Sequence, residues 1–220
     1  MQNISKSDTD QWKNQLENIS SLSENYFSNI HQIREESLKL SREIIRNSAI
    51  SIRASHRAQF EQARTHLISA KQKLESINNI SRNAPEVFHS RFIQDAQKEY
   101  VEASLTLAFL TNSPLPEIDK VSVTPSAYLN GLCESVGELR RFVLDQLRQK
   151  NPLDYEKLLG LMDDIYTLLA SIDYPDAITQ NLRRNTDIAR SIMEKTRGDL
   201  TAASINQSFS SLTHIDQPHD

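Results

Sequence analysis

The sequence predicts an all-α protein, a seven-helix bundle in one domain over residues 1–200 with a flexible tail at 201–220. Three observations carry that expectation. Only 4 glycines occur in 220 residues, about a third of the average usage near 7%, so few positions suit the tight turns of β-rich domains. Breakers divide the chain into helix-length segments with short connections and no strand candidate. The hydrophobic fraction of 38% is ordinary for long helices with wide solvated faces.

The first expected helix runs from about Thr9 to Leu22, and a second, very long one from Glu24 to beyond Arg53. A third covers roughly Arg57 to Ile80. Ser81 to Pro85 forms a break, with Asn83 as cap and Pro85 near the first turn of the next helix. That fourth helix spans about Glu86 to Leu110 and stops before Pro114 and Pro116. Thr124-Pro125 is a start signal, a capping threonine followed by proline at the first helical position. The fifth helix then reaches Gln149, and Asn151-Pro152 opens a sixth in the same way. Asp173 and Pro175 begin the seventh, which Gly198 is expected to stop.

Composition excludes several classes. The single cysteine, Cys133, rules out an intramolecular disulfide framework and a cysteine-based zinc site. No apolar run approaches the ~20 residues of a membrane span, and the polar stretch Met1 to Asp10 has no signal-peptide core. A soluble, cytoplasmic protein with no membrane partner is expected. The net charge of −4 gives no overall reason to expect nucleic acid.

The distribution of charge does. Between Lys39 and Lys73 lie eight Lys/Arg and only two acidic residues, Glu43 and Glu61. Arg42, Arg46, Arg53, Arg57 and Arg64 follow spacings of 4, 7, 4 and 7. On an unbroken helix they would share an arc of roughly 60°. Such a row would track a phosphate backbone, and guanidinium groups also stack on unpaired bases. His56 lies close enough to add a hydrogen bond. The same pattern also suits a solvated face paired with acidic neighbours.

Carboxylates stand where they are costly. From Tyr100 to Leu110 the fourth helix is apolar almost all round, so Glu102 has little access to water and must be protonated, paired or metal-bound. Glu99, three residues earlier, points the same way. On the fifth helix Glu134 and Glu138 lie opposite the apolar stripe, beside Ala127 and Gly131, which would let another helix approach closely. If the two helices pack antiparallel, four carboxylates converge, and an all-oxygen cluster suits Mg²⁺ or Mn²⁺. Plain alternatives are a structural salt bridge for Glu102 and an exposed Glu138–Arg141 pair. A ferritin-like di-metal site needs two Glu-x-x-His motifs, and only Glu86-Val-Phe-His89 is present.

Glu99-Tyr-Val-Glu-Ala103 resembles a motif of the translin and translin-associated factor X (TRAX) family. Tyr128-Leu-Asn-Gly-Leu-Cys-Glu-Ser-Val-Gly-Glu-Leu-Arg140 resembles the family's second acidic signature, and Leu38-Lys-Leu-Ser-Arg-Glu43 its basic second helix. The similarity covers most of the chain, whose short length without a nuclear-localisation run fits a homo-oligomeric prokaryotic or archaeal-type relative. It implies a seven-helix fold, a closed octameric shell and single-stranded RNA or DNA bound inside. In the catalytic branch it implies Mg²⁺-dependent endoribonuclease activity with Glu99, Glu102, Glu134 and Glu138 as metal ligands. Glu134 stands where the catalytic subunit carries aspartate, and Ala108-Phe109 where it carries His-Phe. A non-catalytic translin-like binder is the alternative.

Overall fold

The computed structural model describes residues 6–151 and 154–213, and the regular structure of those residues is helical throughout. No proline or glycine interrupts the chain before Pro85, and its first stretch forms one helix, α1 (Lys6–His56, 51 residues). The break expected after Leu22 is absent. Serines at 20, 21 and 23 each cost only about half a kcal/mol of helix propensity, and no true breaker reinforces them.

α1 ends in a turn where Ala58 is left-handed at φ 56°. α2 (Phe60–Ile80) then folds back antiparallel. Ser51 Oγ donates to the Ala63 carbonyl at 3.0 Å, Asn47 meets His66 at 2.8 Å, and Glu43 meets Lys73 at 3.5 Å. Close approach of α1 to its neighbours is possible because its buried face is largely serine: Ser37, Ser41, Ser48, Ser51 and Ser55.

The expected helix over 86–110 is two helices. α3 (Pro85–Phe88) is a single turn, and Ser90 is extended (φ −66°, ψ 147°) before α4 (Arg91–Thr111) begins. α5 (Pro125–Gln149) starts as expected, the Thr124 hydroxyl accepting from the Ala127 amide. α6 (Tyr155–Ala170) is capped by Asp154, whose carboxylate accepts from the Lys157 amide at 3.0 Å. Pro152, from the expected start signal, lies outside the described residues.

After the one-turn α7 (Asp176–Thr179), α8 (Leu182–Thr213) passes straight through Gly198. A glycine costs a helix about 1 kcal/mol. The buried row Leu182, Ala189, Met193, Thr196 and Leu200 continues across it, and that packing outweighs the cost. The tail expected from 201 therefore begins inside α8, and residues 214–220 lie outside the described residues. The described residues hold six long helices and two single turns in place of seven helices.

Helix direction decides what meets what. Thr124, at the start of α5, touches Gln94 and Gln97 near the start of α4, and Gly131 lies on Lys98 and Val101. α4 and α5 are therefore parallel, and the segment 112–124 carries the chain back over about 25 Å, the length of α4 from Gln94 onward. α8 is parallel to α5, as the Asn130–Asn185 and Arg140–Asp199 contacts require. The core where they meet centres on Ile93, Val101, Leu105, Val136, Leu139 and Met193.

Away from this core, residues 9–29 of α1 are exposed almost without exception, including Trp12, Leu16, Ile19, Leu22 and Phe27. Among the described residues no helix is long and apolar enough to cross a membrane.

Candidate metal centre and nucleic-acid face

Gly131 is where α4 and α5 come closest. A Cβ there would lie 2.8 Å from the Lys98 carbonyl oxygen and 2.9 Å from Val101 Cβ, so a larger residue would hold the helices apart. This contact brings Glu134 beside the first acidic pair. Glu99, Glu102 and Glu134 each offer an oxygen, and the three oxygens lie within 4.8 Å of one another. Of the four carboxylates expected to converge through antiparallel packing, three meet, and they do so through parallel packing.

Glu138 belongs to the same acidic surface but is engaged elsewhere. Its Oε2 lies 2.5 Å from His56 Nε2 and 3.5 Å from Arg141. Burial alone would raise the Glu138 carboxyl, but His56 and Arg141 hold it below the usual carboxylate value. The His56 side chain is only 4% exposed. It is a partner of the acidic site through Glu138, and its hydrogen bond there takes the place of the one expected toward a strand held by the basic row.

Lys98, which sequence reasoning passed over, donates from Nζ to Glu134 Oε1 at 2.7 Å and lies 3.9 Å from Glu99. Burial works against its ammonium, yet the hydrogen bond to Glu134 and the charges of Glu134, Glu99 and Asp95 hold it above its ordinary range. The available signal was a lone lysine at the start of an otherwise apolar run, one turn before Glu102.

Glu102 has no cation in contact. Among the described residues its carboxylate makes no hydrogen bond or ion pair, and the structural salt bridge is not formed. Burial, then the charges of Glu134, Glu99 and Glu138, push its carboxyl up to about 8. Glu99 is raised for the same reasons, with Lys98 opposing. Crowded, half-buried carboxylates with so little compensating charge fit a hard divalent cation, whose ligands are oxygens. Cys133 is buried in the core, and that burial pushes its thiol up to about 12, which leaves it inert.

The basic row is divided. Arg42, Arg46 and Arg53 share the exposed side of α1, Arg57 stands in the turn after it, and Arg64 lies on α2. The five-residue arc needed an unbroken helix, and the reversal after His56 prevents it. Arg64 is tied to Glu61 at 2.6 Å. Arg42, Arg46, Arg53 and Arg57 have no acidic partner among the described residues, so the self-paired alternative fails for these four.

An all-helical bundle in which α4, α5 and α8 run parallel and α4 and α5 bring three carboxylates together is the frame for comparison with known proteins. No family model matches the sequence. An uncharacterized protein of Methanocaldococcus jannaschii is 34% identical over 178 residues, 80% of this chain and 78% of that one. The structure of AfC3PO with duplex RNA is 33% identical with a TM-score of 0.77, covering 84% of this chain and 96% of its own. A crystal structure of AfC3PO is 32% identical with a TM-score of 0.71, covering 90% and 97%. Apo-NeC3PO, at 20% identity and a TM-score of 0.74 over 84% and 97%, supports the fold alone. The chain belongs to the translin/TRAX family.

Proposed function

We propose that the protein is a metal-dependent endoribonuclease acting on single-stranded RNA within a homo-oligomeric shell. The observation that carries this reading is the meeting of Glu99, Glu102 and Glu134 within 4.8 Å, with no cation on Glu102. A pure binding protein has no use for three carboxylates that destabilise one another. Glu99, Glu102 and Glu134 would hold one or two Mg²⁺ or Mn²⁺ ions, with Glu138 beside them. When bound, such an ion polarises a phosphodiester oxygen and lowers the pKa of water.

The chain's own groups supply the rest. Glu138, kept ionised and oriented by His56 and Arg141, holds negative charge at the edge of the cluster. Lys98 is the cation nearest a phosphodiester lying over it. Arg42, Arg46, Arg53 and Arg57 bind the strand's phosphates and offset charge that develops on phosphorus oxygens. In the hydrolysis, a water oxygen bonds to phosphorus and gives up one proton to solvent as the bond to the leaving sugar oxygen breaks, and that oxygen takes a proton from water.

The apolar side of α1 between Trp12 and Phe27 supports assembly with further copies, the octamer that the family resemblance implies. Relationship to a C3PO solved with duplex RNA favours a second reading, in which a duplex is bound without being cut.

The test is cleavage of labelled single-stranded and duplex RNA with Mg²⁺, with EDTA and with Glu102→Ala. Metal-dependent cutting of the single strand that the variant lacks is expected. Tight binding with no cutting in Mg²⁺ or Mn²⁺ overturns the nuclease and leaves the binder.

A further inference from the structure

We propose that a cleft beside the carboxylate cluster seats one nucleotide of the bound RNA, with Arg184 and Arg91 on its phosphate and Asn181 and Asn185 along its base edge. The inference rests on the RNA-cleaving reading only for the source of that nucleotide.

The cleft holds about 510 Å³, within the roughly 300–1,000 Å³ of ligand-sized pockets. Its walls are the first turns of α4 and α8 and one side of α5. Glu134 and Lys98 line it and also belong to the acidic cluster. A nucleotide in the cleft is therefore next to a phosphodiester lying over the carboxylates.

The charge balance suits a phosphate. Arg91, Lys98 and Arg184 stand against Asp95 and Glu134. Lys98 is committed to Glu134, and Arg91 meets Asp95 only loosely, at 3.8 Å. Arg184 has no acidic partner among the described residues. A planar guanidinium left unpaired in a cleft of an acidic chain is suited to a phosphate's paired oxygens.

The amide side is built rather than incidental. Asn130, 4% exposed, donates through its NH₂ group to the carbonyls of Ser126 and Thr179 at 2.8 and 2.9 Å. Its Oδ1 accepts from Asn185 Nδ2 at 2.7 Å. That chain fixes the plane of the Asn185 amide and leaves its Oδ1 to accept a hydrogen bond from a ligand in the cleft. An amide oxygen fixed in this way is placed to accept from a nucleobase amino group. Ile188 supplies an apolar surface for the base or sugar.

The experiment is calorimetric titration of the full-length protein in EDTA with adenosine 5′-monophosphate, adenosine and inorganic phosphate, repeated on Arg184→Gln and Arg184→Lys. The monophosphate should bind saturably and more tightly than adenosine or phosphate alone. Arg184→Gln should weaken it about tenfold or more, the scale of a lost charged hydrogen bond, and Arg184→Lys should restore part of the loss. Absence of saturable binding at millimolar monophosphate, or equal affinity in Arg184→Gln, overturns the proposal. Because no turnover is needed, nucleotide binding in a protein that cuts no RNA sinks the nuclease reading alone. RNA cleavage without nucleotide binding sinks the cleft alone.

Discussion

Replacing Glu102 by glutamine should stabilise the metal-free protein, and increasingly so as the pH rises. The carboxyl moves from its ordinary 4.5 to about 8 on folding, chiefly through burial and then through Glu134, Glu99 and Glu138. A carboxyl raised in the folded state costs nothing below the unfolded value, where both states hold the proton. The cost grows from about pH 4.5 and is complete above about pH 8. At about 1.4 kcal/mol for each tenfold change in proton affinity the full cost is at most about 5 kcal/mol, and water access to the half-buried group reduces it to about 2–3 kcal/mol. For a chain of 220 residues that is a rise of roughly 5–10 °C in Tm.

Thermal unfolding of wild type and Glu102→Gln in EDTA, from pH 5 to pH 9, measures it directly. The two should nearly coincide at pH 5 and separate steadily toward pH 9. Adding Mg²⁺ or Mn²⁺ should then raise the wild type, by about 2.7 kcal/mol at a hundredfold excess over Kd, and leave the variant close to its EDTA value. A gap that does not change with pH, or a variant less stable than wild type at pH 9, would refute the argument that Glu102 is held without a compensating charge.

Gly131→Ala should cost about 1–3 kcal/mol in urea unfolding, because its methyl would meet Lys98 O and Val101; it should also weaken divalent-ion binding by separating Glu134 from Glu102. Glu138→Gln should lose about 1–2 kcal/mol at pH 7 by replacing the carboxylate that pairs with His56 and Arg141. Since that carboxyl is held below its ordinary value, the wild type's advantage is present above about pH 4.5 and fades as the pH falls below it, which acid titration of both proteins would follow. Arg46→Ala and Arg53→Ala should each weaken RNA binding similarly across sequences and lower the slope of log Kd against log salt by about 1, in filter binding at several salt concentrations. Leu16→Glu on the exposed stripe of α1 should reduce the mass measured by light scattering, and an unchanged mass would count against α1 as the assembly surface.

Local patterns determined a good deal of this protein. The scarcity of glycine, the Thr124-Pro125 start and the apolar stripe of α5 act over one or two turns, and the helical class and the start of α5 follow from them. The acidic pairs were legible for a similar reason: a glutamate among Val101, Ala103 and Leu105 is costly wherever that helix goes. Gly131 and Ala127 marked the side of α5 that admits a neighbour.

Tertiary structure decided the rest, because it depends on chain direction and on distant partners. Whether α4 and α5 run parallel is set by the path of residues 112–124, and no periodicity records it. Packing against the core carried α8 through Gly198, which local propensity reads as a stop. The turn after His56 divided a basic row that looked continuous, and it set that histidine against a glutamate 82 residues away. Lys98 became a site residue only when Gly131 let α5 close onto α4, since a lysine's role follows from the carboxylate it meets rather than from its place in the helix.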